Sequence, residues 1–554
     1  MVKPHLVALA LLTTTSAAYG QQIPGAGAQL QQLPQAPAPV KPAPDLVLPQ
    51  QSKLADAPVG PSITVQSLRV TGQSVYPESA LLAASGYAPG SSLNFLQLRQ
   101  LAARISDFYH VHGYFLAQAY LPEQDVQGGT VTIAVVEGRY GKIDVHNGTR
   151  LAPHVPKNVL RGLDSGEVVA TAPLERRLLL LSDIPGVRVK ATLAPGAAVG
   201  TSDLLVDVSP GPRISGNVEA DNGGSRYTGA YRFGGTINLN NPLGAGDQLS
   251  LRLLGSDGAL GYGRLSYQAP VGNLTLGLAF AHLRYDLGRE FTGLDASGTA
   301  DIVSAYASYP LIRSRRANLY ALGNFDYRFL SDDIGVVSSR SRKHLAAGTL
   351  GLSGDYRDEL GAGGSSQFSL GWTIGDLAIR SGAERLADAT TARSAGRYSK
   401  LQGSFSRLQT IAGPFALYGS VRGQVAFDNL DSSEKMQIGG AYGVRAYPEG
   451  EAFGDTAYIA TAEARLRLSQ WTGKLPGTLE LIGFVDTGEV RYAQDPWFTG
   501  SNHAVRSGYG GGLGWYGPSG IILRGSYARK LGTGPATSAP DRAGRFWFQV
   551  VKLF

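Results

Sequence analysis

The chain has 554 residues, no cysteine and a formal net charge of +7, with Lys+Arg 50 against Asp+Glu 43. The absence of cysteine excludes disulfides, thiolate zinc sites and cysteine nucleophiles, and the mild positive excess contains no basic run that would mark a nucleic-acid surface. A mean hydropathy of -0.07 with Gly 73 and Tyr 26 suits a β-rich protein, including a membrane barrel whose strands alternate apolar-out and polar-in.

Residues 1–20 read as a secretory signal. Lys3 supplies the positive start, Leu6 to Leu12 the apolar run, and Ala18-Tyr19-Gly20 the small residues for cleavage after Gly20. That run is too short to span a bilayer, and no other stretch approaches the roughly 20 apolar residues a helix needs. A membrane location therefore requires a barrel. Residues 21–61 are rich in Pro, Ala and Gln (Pro34, Pro37, Pro39, Pro42, Pro44, Pro49), a linker composition with polyproline II bias. Gln29 to Leu33 could form a helical turn there, but nothing in the segment reads as a stable helix.

Two units of similar layout follow. In residues 62–137, Ile63 to Val70 reads as a strand and Pro77 to Ser85 as a short helix. Asn94 caps a longer helix with Phe95, Leu98, Leu101, Ala102, Ile105, Phe108 and Tyr109 at helical spacing. Phe115 to Leu121 and Thr130 to Val136 complete the unit as strands. In residues 138–212 the order recurs: strand Lys142 to Val145, helices Pro156 to Leu163 and Pro173 to Leu181, strands Val187 to Leu193 and Leu204 to Val208. Repetition of one supersecondary pattern marks a tandem array. The order and spacing resemble two POTRA domains, periplasmic modules that bind extended chains.

From 213 to 554 helical periodicity gives way to period 2. Leu274, Leu276, Leu278 and Phe280 alternate with small or polar residues, as do Phe368, Leu370, Trp372 and Ile374, then Phe415, Leu417, Val421, Val425 and Phe427, then Ile521, Leu523 and Tyr527. Roughly 340 residues at about 20 per strand and connection predict about 16 strands, an even number as bacterial barrels require. The small faces of these strands cannot fill a second core layer, which argues against a soluble sandwich or propeller. The last strand carries Phe546, Phe548, Val550 and Phe554 on one face and looks like the signal by which outer-membrane barrels are recognised for insertion. Lys552 interrupts that face near the interface, where its cost falls to about 0–1 kcal/mol.

Two motifs stand out. Val444-Arg445-Ala446-Tyr447 lies in a Gly/Pro-rich connection around 430–455, and about forty residues later Phe484-Val485-Asp486-Thr487-Gly488 carries one aspartate on a strand. Glu480 shares the strand face of Asp486, and neither carboxylate is tolerable toward lipid. A guanidinium holds a carboxylate with defined fork geometry at any working pH. Singly, each residue reads as an ordinary solvated charge; together they read as a loop pinned inside a lumen. Gly512 to Gly517 matches G-x-G-x-x-G but lies among strands, so glycine against an aromatic explains it better than a nucleotide site. His110 and His112 cannot share a helix face for a metal. No catalytic motif, metal site or cofactor site is expected.

Signal, paired units, barrel and both motifs together resemble the outer-membrane transporters of two-partner secretion, of the haemolysin-activator and filamentous-haemagglutinin type (ShlB/FhaC/HecB-like). The resemblance implies an all-β transmembrane barrel behind two α+β POTRA domains. It also implies a loop folded into the lumen, with Arg445 contacting Asp486, flanked by Val444, Tyr447, Phe484 and Gly488. Asn217 to Asn222 and the stretch from Tyr231 to Asp247 look like the start of this family's barrel. The family often has glycine where this chain has Ala446. A positive φ there would strain alanine; an ordinary φ followed by the Pro448 turn would not. The implied function is export of an unfolded partner exoprotein, captured in the periplasm and secreted across the outer membrane without nucleotide hydrolysis. The implied partner is β-helical and encoded nearby. Outer-membrane lipid and the barrel-assembly machinery would be further partners; nucleic acid would not. A barrel-assembly factor of the same superfamily is the alternative, and a passive porin explains the barrel alone.

Overall fold

The structure is a computed structural model and describes residues 23–34, 45–47, 61–468, 473 and 476–554. The signal segment and most of the Pro-rich segment lie outside the described residues.

In the first α+β unit, Ser67–Thr71 pairs in parallel with Thr130–Val136, which pairs antiparallel with Gln118–Tyr120. The single strand expected over Ile63 to Val70 is two, Ile63–Val65 and Ser67–Thr71, the first joining an unforeseen strand, Ser91–Leu93. The break falls at Gln66, where the amides of Gln66 and Ser67 both turn to the Gly129 carbonyl. The long helix Phe95–Val111 starts with reciprocal hydrogen bonds: Asn94 Oδ1 accepts from the Gln97 amide and Gln97 Oε1 from the Asn94 amide, both at 2.9 Å. Its buried stripe of Leu98, Leu101, Ala102, Ile105 and Tyr109 packs on Val65, Leu68, Val70, Val131 and Ile133.

The second unit orders its sheet as Asp45–Val47, Val187–Pro195, Thr201–Pro210, Arg139–Asn147. Helix Thr171–Ser182 buries Leu174, Leu178 and Leu181 against it. The first of these strands belongs to the Pro-rich segment, so that segment is not linker throughout. The unit docks on the periplasmic turns of the barrel: Arg313 grips Asp183 with two hydrogen bonds of 2.7 and 3.0 Å, and Arg176 donates to the Pro310 and Leu311 carbonyls.

Sixteen antiparallel strands then close into one barrel. In chain order they are Ile214–Asp221 (β1), Arg232–Asn240 (β2), Gln248–Ser256 (β3), Ala259–Val271 (β4), Leu274–Asp286 (β5), Ala296–Arg313 (β6), Ala317–Ile334 (β7) and Ser339–Asp358 (β8). The second half is Gly364–Ile379 (β9), Gly396–Ala412 (β10), Phe415–Ala426 (β11), Thr456–Arg467 (β12), Thr478–Arg491 (β13), His503–Tyr516 (β14), Ile521–Leu531 (β15) and Gly544–Leu553 (β16). The period-2 residues Leu278, Phe280, Leu370, Trp372, Val421, Val425 and Tyr527 are exposed on the outer face, and their neighbours turn inward. With every other edge paired, closure rests on β1 against β16, whose register runs from Asn217↔Leu553 to Asp221↔Gln549. The amide and carbonyl of Phe554 extend that seam by bonding Gly216 at 3.0 and 2.8 Å. Phe546, Phe548, Val550 and Phe554 stand on the outer face of the closing strand while Trp547 points inward, and Lys552 reaches the Ser519 carbonyl.

Candidate functional site: a loop and a helix inside the barrel

The connection between β11 and β12 turns back into the lumen. It closes on itself through a short pairing of Met436–Gln437 with Phe453–Gly454 and a parallel bridge from Gly439 to Val444. The backbone thus presents Arg445 at a fixed height against β12 and β13. Asp486 is fully buried on the lumen face of β13, and Val485 beside it faces lipid.

Arg445 meets Asp486 as a fork. Its Nε donates to Oδ2 and its Nη2 to Oδ1, both at 2.8 Å, and its own amide adds a third bond to Oδ2 at 3.1 Å. Nη1 lies 2.9 Å from Glu463 Oε1 on β12, and the guanidinium stacks 3.4 Å from the Phe484 ring centroid. Thr461 donates to Asp486 Oδ1 at 2.9 Å, and Trp547 Nε1 donates to the Arg445 carbonyl at 2.7 Å. One cation therefore faces two buried carboxylates, with Arg465 at 2.7 Å from Glu463 supplying the balancing charge. Such a site is costly to leave half-made, because removing one member strands a buried charge.

The other motif residues converge on the same place. Val444 is buried, and its Cγ2 would sit 3.2 Å from a Cβ built at Gly488, so glycine at 488 makes room for the loop. Tyr447 is buried, donates to the Gly534 carbonyl at 3.0 Å, and lies under the cations of Arg506 and Lys530. Ala446 has no positive φ, so it carries none of the strain that a left-handed backbone would impose; that conformation falls at Ala452, with φ of 52°. The Ala446 Cβ instead rests on Gly508 of β14, where an added Cβ would approach it to 2.4 Å. One step down the strand, Gly510 stands directly opposite Phe484 and lies beneath its ring. The glycine-rich stretch of β14 is the floor on which the loop sits.

The remaining loop-to-wall ion pairs reverse the polarity. Asp431 meets Lys343 at 2.8 Å, Glu434 meets Lys400 at 2.6 Å and also Arg328, and Glu451 meets Arg506 at 2.9 Å while accepting from the Thr537 and Ser538 amides. In these the loop contributes the carboxylate. Among the described residues Arg445 is the loop's only cation paired to the wall. Glu463, Gly508, Trp547 and the Glu451–Arg506 pair were not singled out in the sequence; an inward strand parity was the available signal for Glu463, Arg506 and Trp547, and Gly508 gave none.

A helix also occupies the lumen, contrary to the expectation that Gln29 to Leu33 would hold no stable helix. Ala26–Gln31 (α1) lies between β5–β7 and the inward loop. The Ala26 amide donates to Asp332 at 2.7 Å, Thr228 donates to Gln29, Gln31 donates to the Ser433 carbonyl, and Arg232 to the Gln32 carbonyl at 2.9 Å. A Cβ at Gly27 would come within 2.6 Å of the Ser433 amide nitrogen, so the glycine that weakens the helix locally also permits its contact with the loop.

A family model for the haemolysin secretion/activation proteins ShlB/FhaC/HecB matches residues 200–514, and one for the ShlB-type POTRA domain matches residues 63–138. The chain is similar to the heme/hemopexin transporter protein HuxB of Haemophilus influenzae (strain 86-028NP), at 28% identity over 89% of this chain and 87% of the relative. It is similar to the outer membrane transporter CdiB of Dickeya dadantii (strain 3937) at 24% identity, covering 79% and 78%. The solved structure of CdiB from Escherichia coli superimposes with a TM-score of 0.71 at 22% identity, covering 91% of this chain and 93% of that one, a likeness of fold. With the family model spanning more than half of the chain, over a closed sixteen-stranded barrel and POTRA units, the chain belongs to the ShlB/FhaC/HecB family of outer-membrane transporters that secrete partner exoproteins.

Proposed function

We propose that this pore is held shut by the inward loop, with Arg445 as the latch, and that export requires Arg445 to leave Asp486 and Glu463. The observation that carries this reading is the reversed polarity of that one contact, a buried loop cation forked onto a fully buried wall carboxylate. Val444, Tyr447, Phe484 and Gly488 shape the seat. An unfolded, β-helix-forming exoprotein encoded nearby is captured by the POTRA units as an added strand. It passes the lumen without nucleotide hydrolysis, drawn by its own folding outside. The functional division is signal 1–20, a Pro-rich segment 21–61 that gives the lumen helix and a strand to the second unit's sheet, POTRA units 62–137 and 138–212, and barrel 213–554 with its loop around 430–455. Phe546, Phe548, Val550 and Phe554 present the last strand to the barrel-assembly machinery and then to outer-membrane lipid.

The test is Arg445→Glu, which sets three carboxylates against each other. Secretion of the partner is expected to stop while the barrel remains inserted and heat-modifiable on a gel. Normal export by that variant would overturn the latch.

A further inference from the structure

The outer wall of the barrel carries a cationic site with no role in the lumen. Register lines across β5–β10 place the outward residues in rows. One row runs His282, Asp301, Phe329, His344, Ala378, and the row toward the periplasm runs Phe280, Val303, Tyr327, Ala346, Asp376, Arg397. Tyr327, Phe329 and His344 form one ring cluster, with Phe329 4.9 Å from Tyr327 and 5.0 Å from His344. Below it the outward residues are apolar: Phe325, Leu350, Trp372 and Ile374 are all half exposed or more on a wall that faces lipid. An outward aromatic cluster above an apolar band marks the membrane interface of a barrel. It lies on the extracellular side, opposite the POTRA units.

Just beyond that cluster stand Arg342 and Arg380. They face each other on adjacent strands, the Arg380 amide donating to the Arg342 carbonyl at 2.8 Å, and both side chains are exposed. Like charges directly opposite on a sheet repel. The nearby carboxylates do not relieve this pair. Asp333 takes Arg340, Asp301 takes His282 at 2.7 Å, Glu384 turns to Lys343 and Ser341, and Asp376 lies lower, opposite Arg397, with no ion pair between them. Arg380 has only a 3.4 Å contact to His344 Nδ1, and Arg342 has no side-chain acceptor among the described residues. Two residues past the aromatic row is about 7 Å along a strand, the level of lipid headgroups. Guanidiniums recognise phosphate with a matched fork.

We propose that Arg342 and Arg380 clamp a phosphate on the headgroup of an outer-leaflet glycolipid, with His344 beside it and the acyl chains lying against Phe329, Ile374 and Trp372. The site depends on the membrane placement of the barrel and not on the latch, because lipid retention is read without secretion.

The experiment uses the full chain purified in mild detergent, with bis-phosphorylated lipid A as probe, and reads retained lipid by native mass spectrometry. The wild type is expected to retain the lipid, and Arg342→Ser/Arg380→Ser to retain at least tenfold less while staying heat-modifiable. Arg342→Lys/Arg380→Lys, which keeps the charge but not the fork, is expected to recover only part of the binding. Dephosphorylated lipid A is expected to bind wild type and double variant alike. Equal retention of the phosphorylated lipid by wild type and double variant overturns the proposal. So does displacement of the lipid by millimolar inorganic phosphate, which would assign the site to a soluble anion.

Discussion

The loop and the helix fill the same lumen but are held by different forces. The loop is fixed by buried ion pairs at Asp431, Glu434, Arg445 and Glu451, each joined to a wall residue of opposite charge. The helix α1 is held by single hydrogen bonds, two involving a charged wall residue (Asp332, Arg232) and two between neutral groups (Thr228 with Gln29, Gln31 with the Ser433 carbonyl), and by small residues that fit against Ser433 and the wall. Single hydrogen bonds contribute about 1 kcal/mol between neutral groups and about 1.5–3 kcal/mol to a charged one, whereas removing one partner of a buried ion pair costs about 3–5 kcal/mol. A pore built this way releases its helix more readily than its loop. The loop, once a single pair is broken, is left with stranded charges that favour a different position.

The largest effect is expected at the base of the loop. Glu434→Ala strips both Arg328 and Lys400 of their shared partner, a loss of about 3–5 kcal/mol by the buried-pair figure. The loop should become sensitive to protease added outside, and planar-bilayer recordings should show larger and more frequent openings. A protected loop in Glu434→Ala would mean the ion pairs are not what holds it.

Asp332→Ala removes the one carboxylate among the described residues that receives a hydrogen bond from α1, worth about 1.5–3 kcal/mol for a bond to a charged group. Here the helix alone should loosen. Conductance should rise in brief openings, and spin labels placed on α1 should report mobility while the loop stays protected from protease. If loop and helix loosen together, they are one unit and the contrast drawn above fails.

The seat of the latch gives a third effect with a built-in rescue. Gly508→Ala drives a new Cβ into that of Ala446, an overpacking of about 1–3 kcal/mol. Adding Ala446→Gly removes that clash and leaves only the 3.0 Å approach to the Arg529 carbonyl. The single variant should lower secretion, and the double variant should recover it. Equal secretion by both would mean the loop does not rest on Gly508.

That pair also shows where sequence reading reaches and where it stops. Alternation revealed the barrel, because one face of each strand meets lipid and the other does not, and it oriented Asp486 inward. The family resemblance of the two motifs implied the contact of Arg445 with Asp486. Neither could disclose Gly508, since a glycine gives no parity signal and its neighbour in space lies sixty-two positions earlier in the chain. The helix escaped for a related reason. Gly25-Ala26-Gly27-Ala28 has poor intrinsic helix propensity, and only the lumen around it, with Asp332 and Ser433 as partners, supplies what the local sequence lacks. The strand break at Gln66 likewise depends on Gly129, in a distant turn.

The smallest effect tests the contrast outside the membrane. Glu137, at the junction of the two POTRA units, is as buried as the loop carboxylates but is held mainly by neutral donors: the Ser74 amide at 2.6 Å, the Val75 amide at 2.8 Å, the Tyr109 hydroxyl at 2.9 Å, and the Ser74 hydroxyl. Burial works to raise its pKa, yet those hydrogen bonds offset it and hold the carboxyl below its usual range. A carboxylate with a lowered folded pKa contributes stability that is full above the unfolded value of about 4.3 and is lost as pH falls through the folded one. Urea unfolding of the POTRA units in the whole protein, followed by helical dichroism while the barrel stays intact, should therefore lose stability as pH drops from about 5 toward 3. Glu137→Gln should start about 1–2 kcal/mol lower at neutral pH, from its poorer hydrogen bonds, and lose less across that window. Should the variant lose as much as the wild type, other groups carry the acid sensitivity. Should it lose 3–5 kcal/mol at neutral pH, then neutral donors hold a buried carboxylate as tightly as arginine does, and the difference between helix and loop cannot be ascribed to charge.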